Sequence, residues 1–124
     1  MKLRIEGNSI RLRVKKSDLN RLHTEGVVHE MVAFIKGFNF HYELKTDETA
    51  SNIDAVFTHS TITISIPLSI ANEWINSETV GLENTLENGL FILIEKDFPC
   101  KTRENENKDD TFQELMKNND PSVC

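Results

Sequence analysis

The sequence predicts an α+β fold, mainly β, built as two tandem ββαββ units at residues 1–45 and 53–97, with a linker at 46–52 and an acidic tail at 101–124. Three observations predict it. Slid along itself by 52 residues, the chain aligns the two units without a gap: Ile10, Leu12 and Val14 fall on Ile62, Ile64 and Ile66, Ser17 on Ser69, Leu22 on Trp74, Val28 on Val80 and Gly37 on Gly89. Apolar residues alternate with polar ones in short runs, the period of half-buried strands. Gly, Asn and Pro punctuate both units at matching places.

Each element has its own warrant. Leu3 and Ile5 alternate with Lys2, Arg4 and Glu6, Gly7-Asn8 turns the chain, and Ile10, Leu12 and Val14 alternate again. A two-residue Gly-containing loop between such runs is a hairpin signal. It sets Arg4 opposite Arg11 and Lys2 opposite Arg13 on the outer face, with Ile5 opposite Ile10 and Leu3 opposite Leu12 on the inner one. Ser17 is the expected N-cap of a short helix that buries Leu19 and Leu22 and ends at Gly26. A second hairpin follows, turned at Lys36-Gly37, and that register sends His29 and His41 to opposite faces, where they share no metal. In the second unit Pro67 suits the first helical position, and Leu68, Ala71, Trp74 and Ile75 form the apolar helix face. Asn88-Gly89 is expected to make a type I′ turn, and the doubly apolar run 90–94 the most buried strand.

The totals bound the class. A chain of 124 residues, 38% hydrophobic and 27% charged, suits one ordinary globular domain, expected at 1–100 with the tail partly ordered or disordered beyond it. No apolar run nears the ~20 residues of a membrane span, so no membrane partner is expected. The alternating start is unlike a secretory signal. Two cysteines, Cys100 and Cys124, make no disulfide framework, which points to the cytoplasm. The charge is uneven: residues 1–45 hold nine Lys/Arg and five Asp/Glu, the remainder five and fifteen. Such asymmetry suits a polyanion-facing side, or two halves that attract each other.

The order strand, Gly-Asn-Ser turn, strand, Pro-led helix and hairpin resembles the swapped-hairpin barrel of AbrB/MazE-type proteins. "GNSIRLRV" resembles the start of MazE-like antitoxins, and "TISIPLSIANEW" the strand-Pro-helix step of AbrB-like regulators. In that family two chains exchange hairpins to close one barrel, which binds DNA through basic residues of the first hairpins. The resemblance implies a pseudo-dimeric barrel within this single chain. A second resemblance, carried by "MKLRIEGNSIRLR" and by "EKDFPC" followed by "KTRENENKDDTF", is to an uncharacterised family of small bacterial proteins with no activity to transfer.

Few residues carry chemistry. Lys2, Arg4, Arg11, Arg13 and Lys15 are the candidates for binding an anion or nucleic acid, since phosphate neutralisation drives sequence-independent binding. The corresponding places in the second unit hold Asp54, Val56, Thr63 and Ser65, so a two-fold DNA reader would have lost half its basic footprint. Alternatively the tail masks the basic face through Glu104, Glu106, Asp109 and Asp110, with Phe112 and Leu115 as an apolar clasp, or the face is simply solvated. Cys100 is a candidate reactive thiol, with His59 as a base only if the fold brings it near. No ligand-spaced His or Cys pattern and no Gly-rich phosphate loop occurs, so no metal or cofactor is expected. The aromatic residues at strand and helix periodicity are expected in the core. The expectation is a non-enzymatic cytoplasmic binding protein of unspecified ligand. A DNA-binding regulator or antitoxin-like factor is the alternative, an enzyme or redox protein using Cys100 the third.

Overall fold

A computed structural model describes residues 1–98 together with Phe112 and Leu115. In chain order the elements are β1 (Lys2–Glu6), β2 (Ser9–Val14), α1 (Lys16–Glu25), β3 (Val27–Ala33), β4 (Asn39–Asp47), β5 (Asp54–Thr58), β6 (Thr61–Pro67), α2 (Leu68–Ile75), β7 (Gly81–Thr85) and β8 (Phe91–Lys96). They form two four-stranded sheets, ordered β1-β2-β8-β7 and β3-β4-β6-β5. Sequence neighbours make the antiparallel hairpins, and the central contacts, β2 with β8 and β4 with β6, are parallel. The first hairpin of each half therefore completes its sheet with the second hairpin of the other half.

The core lies on the inner faces of these central pairs. Ile10, Leu12 and Val14 of β2 and Ile92 and Ile94 of β8 join Leu44 of β4 and Ile62, Ile64 and Ile66 of β6 in one buried cluster. Leu19 and Leu22 of α1 and Ala71 and Trp74 of α2 complete it. Period-two alternation sends these side chains inward and the intervening ones out. The sheets do not close into the expected barrel. Closure needs a second partner for every edge strand, and among the described residues β1, β3, β5 and β7 each pair on one side only. Next to edge β1, the Met1 ammonium reaches edge strand β3 instead, lying 3.3 Å from Glu30 Oε1.

The first-hairpin register is as anticipated, from Lys2 opposite Arg13 to Glu6 opposite Ser9. Gly7 has φ 53° at the first loop position, as a type II′ turn requires. The later hairpins depart from expectation by one residue. Ala33 pairs with Asn39 and Thr85 with Phe91, and the turns are closed by Phe34 N–H to Phe38 O and Leu86 N–H to Leu90 O, each 2.9 Å. Gly37 and Gly89, at φ 76° and 88°, thus occupy the third position of a three-residue loop, not the second of a two-residue one. A one-residue slip reverses the faces of every side chain beyond the turn.

The gap-free offset also gives way. Phe91 lies opposite Ser9, and by that offset Asn39 should lie opposite Thr61, but His41 does. The β3–β4 hairpin is displaced by two residues, an even shift that preserves inside and outside. Its cause is the helix exits: Gly26, left-handed at φ 79°, passes α1 directly into β3, whereas residues 76–80 separate α2 from β7. The β3–β4 tip therefore projects past the end of β6. Residues 46 and 47, expected in the linker, extend β4 by pairing Thr46 with Ile66 and Asp47 with Pro67.

The helix ends hold by specific contacts. Lys15, rather than Ser17, is the N-cap of α1, and its N–H donates to Asp18 Oδ2 at 2.8 Å. Burial works to raise the Asp18 pKa, but that hydrogen bond and the Met1 ammonium 3.0 Å away together hold it below the ordinary 3.8. Pro67 precedes α2 as its N-cap, one position before the expected one. At the other end, Lys96 Nζ donates to Trp74 O and Ser77 O at 3.0 and 2.7 Å and sits 5.7 Å from the Trp74 ring centroid. A cation there caps orphan carbonyls and the negative end of the helix dipole.

Two outcomes follow. The β5–β6 turn places His59 and Ser60 at φ 52° and 56°, left-handed values that cost a side-chain-bearing residue free energy. Replacing them with Asn-Gly stabilises the protein by about 1 kcal/mol in chemical denaturation. The lowered Asp18 pKa contributes stability that is complete above the unfolded value of 3.8 and is lost as pH falls through the folded one. Asp18→Asn lowers stability at neutral pH by about 1 kcal/mol and flattens the acid limb below about pH 4.

Candidate functional site

The outer face of β1-β2-β8 gathers Lys2, Arg4, Arg11 and Arg13 of the basic residues singled out by the sequence, while Lys15 lies at the N-cap of α1. Register places Arg4 opposite Arg11 and Lys2 opposite Arg13, two like-charged cross-strand pairs that would repel in isolation. The other half supplies the counter-charge. Glu95 of β8, opposite Arg13, accepts from Arg13 Nε at 2.9 Å and lies 3.6 Å from Arg11 Nε. Lys2 Nζ is 3.5 Å from Asp97 Oδ2, and Arg4 Nη2 donates to Glu6 Oε2 at 3.2 Å. The Arg13 and Glu95 side chains are only 16% and 14% exposed, so this pair is desolvated more than a surface bridge. Glu83 of β7, opposite Leu93, adds a carboxylate to the same face. The face is a laced charge ladder rather than an open cationic strip.

The second sheet answers the sequence differently. His29 lies opposite Glu43 and His41 opposite Met31, so both imidazoles share the outer face, with His29 Nε2 2.9 Å from His41 Nδ1. This corrects the opposite-face expectation, which rested on the slipped turn. Glu43 Oε1 accepts from the Thr63 hydroxyl at 2.9 Å. Among the described residues, no group of three His, Cys, Asp or Glu side chains is placed to hold a metal.

A cleft of about 580 Å³ opens where the linker meets the β7–β8 tip, lined by Asp47, Thr49, Asn52, Asp54, Asn84 and Glu87 among others. Asn84 Nδ2 donates across it to Ile53 O at 2.8 Å. Hydrogen bonds to Asp47 from the Thr49 N–H and hydroxyl hold its pKa below the ordinary carboxylate value.

The aromatic expectation holds for Trp74, which is buried, and fails at the β3–β4 tip. Phe34, Ile35 and Phe38 are 59%, 86% and 74% exposed, and Phe57 of β5 is 68% exposed. Phe40, half-buried, lies beside Phe57, ring centroids 6.4 Å apart. By the 52-residue offset Phe34 and Phe38 correspond to Leu86 and Leu90, which pack partly buried against the core. The two-residue displacement of the first-half hairpin carries its tip out of that shelter.

Cys100, Glu104, Glu106, Asp109 and Asp110 lie outside the described residues, and with them the candidate thiol and the acidic mask. Phe112 and Leu115, expected as an apolar clasp, are 74% and 68% exposed. Lys15 makes no ion pair among the described residues. No described helix is long and apolar enough to cross a membrane.

A family model described as a family of unknown function, DUF7009, matches residues 1–116. No curated protein and no solved structure matches the chain.

Glu95 is the residue on which the ladder turns. Glu95→Gln leaves Arg11 and Arg13, neighbours on one face of β2, without their shared counter-charge and costs about 1–2 kcal/mol, between the values for exposed and buried pairs. The same variant elutes from heparin at higher salt than the wild type. Unchanged elution and an unchanged melting temperature would show that Glu95 neutralises nothing.

Proposed function

The chain belongs to the DUF7009 family of unknown function, and on that premise, which brings no activity with it, we propose a non-enzymatic binding protein whose working surface is the projecting β3–β4 hairpin and whose partner there is a second copy of the chain. The observation that carries this reading is the contrast between corresponding residues: Leu86 and Leu90 are packed, Phe34 and Phe38 are exposed. Contiguous apolar surface of this kind marks interaction sites. With about 200 Å² for a whole aromatic side chain, Phe34, Ile35, Phe38 and Phe57 offer on the order of 550 Å². Two such patches face to face bury roughly 1,100 Å², the lower end of specific interfaces. The tip carries a single charge, Lys36, so the patch meets its own copy with little repulsion. A two-fold contact of one surface with itself is the commonest form of assembly.

This proposal includes the architecture behind the surface. We read the two halves as a duplicated ββαββ unit and the reciprocal hairpin pairing as the AbrB/MazE-type exchange carried out within one chain. What supports it is the repeated element order and the equivalent parallel contacts β2–β8 and β4–β6. A cytoplasmic, bacterial setting goes with this reading, on the cysteine usage and the resemblance of the chain ends.

A DNA-binding regulator using Arg4, Arg11, Arg13 and Lys15 is the second reading, favoured by the opposed cations of the first hairpin. The carboxylates of Glu95 and Asp97 beside those cations weigh against it. A fold shared with DNA-binding proteins would not by itself carry their function.

Sedimentation separates the readings. The wild type associates to a dimer with a dissociation constant in the range of about 1–100 μM, and Ile35→Asp with Phe38→Asp abolishes association while leaving the melting temperature of the dilute protein unchanged. A wild type that stays monomeric at about 500 μM contradicts the assigned partner. A salt-sensitive mobility shift with random duplex, weakened by Arg11→Ala, would instead favour the DNA reading.

A further inference from the structure

We propose that His29, His41 and Met31 form a binding site for a copper ion on the outer face of the β3–β4 hairpin. The placement follows from the register. His29 and Met31 are two apart on β3 and therefore share a face, and His41 lies directly opposite Met31 on β4. Directly opposed residues hold their Cβ atoms about 4.5–5.5 Å apart, within reach of a common ion for side chains of this length. The imidazoles are already in contact, His29 Nε2 2.9 Å from His41 Nδ1 with ring centroids 5.0 Å apart.

That contact has the spacing of two adjacent ligands. Metal–imidazole bonds of about 2.0–2.1 Å to two nitrogens 2.9 Å apart subtend an angle of about 90°. This is the angle between neighbouring positions of a square-planar or tetragonal ion such as Cu(II), whereas tetrahedral ligation would spread the nitrogens to about 3.3 Å. Copper also stands highest in affinity among the divalent first-row ions for a given nitrogen site. A thioether is a soft donor that selects Cu(I), so Met31 extends the site to the reduced ion. Met31 is 50% exposed, open to an ion arriving from solvent.

The protons balance without a redox step. When both rings are neutral, one hydrogen lies between His29 Nε2 and His41 Nδ1. On binding, that hydrogen passes through solvent to the far nitrogen of its own ring, both facing lone pairs turn to the ion, and no net proton is released from the neutral pair. Glu43, opposite His29, puts a carboxylate on the same face, its Oε1 accepting from the Thr63 hydroxyl. Water completes the coordination.

The test uses the full chain carrying Cys100→Ser and Cys124→Ser, because thiolates outcompete imidazole for copper. Cu(II) is titrated directly, and Cu(I) is titrated anaerobically against a chromogenic chelator. One equivalent of each binds, and electron paramagnetic resonance of the Cu(II) form shows coupling to two imidazole nitrogens. His29→Ala and His41→Ala each weaken Cu(II) at least about tenfold, as expected for losing one of two protein donors. Met31→Leu weakens Cu(I) at least about tenfold and shifts Cu(II) less than about threefold, while His59→Ala changes neither. Melting curves show each variant folded, its side chain being on the outer face. Cu(II) affinity equal in the wild type and the His29→Ala/His41→Ala double variant overturns the site. Cu(I) affinity unchanged by Met31→Leu overturns the thioether's place in it.

Discussion

The fold depends on two parallel strand contacts, β2 with β8 and β4 with β6. Each joins the first hairpin of one half to the second hairpin of the other, so neither half holds a complete sheet. A two-stranded hairpin is marginal in water, and a segment of about 50 residues buries too little surface to compensate. The inner faces of those four strands supply nine of the core's fully or nearly buried aliphatic side chains, with Trp74 and Leu22 closing the ends. Remove either parallel contact and the apolar faces lose each other as well as their ladder hydrogen bonds.

Surface chemistry follows from the same strand pairing. Because β8 lies against β2, Glu95 meets Arg11 and Arg13, and the positive first half is neutralised by the acidic second half. Because β4 meets β6 two residues off the 52-residue offset, the β3–β4 tip overhangs the sheet and leaves Phe34, Ile35 and Phe38 in solvent. The outer-face histidines and Met31 lie within the paired sheet, where the 52-residue offset puts Gly81, Leu93 and Glu83 in the second half. A small difference in helix exit, one residue after α1 against five after α2, is the origin of the overhang.

How much of this was legible in the sequence depends on the range of the interaction. Strand identities, the Gly26 helix stop and the first-hairpin register are local, and Gly7-Asn8 leaves one short loop between two alternating runs. Lys36-Gly37 and Asn88-Gly89 mislead because a glycine serves the third position of a longer loop as well as it serves a two-residue turn. That single residue hid the His29–His41 contact. The partner of Arg13 lies 82 positions away and follows only from strand order, which no local pattern encodes. The barrel implied by resemblance is replaced by two open sheets, because strand pairing ends at β1, β3, β5 and β7 among the described residues.

The interdependence of the halves is the central claim, and severing the chain between Ser51 and Asn52 measures it most directly. That cut falls in the connection between β4 and β5 and breaks no strand. Produced separately, residues 1–51 and 52–124 should each lack a cooperative thermal transition and near-ultraviolet dichroism as monomers. Mixed in equal amounts, they should regain both, with the single Trp74 returning to its buried fluorescence. Either half folding cooperatively as a monomer, or a mixture that stays unfolded at about 100 μM of each, where a core of this size should drive association, would contradict the account.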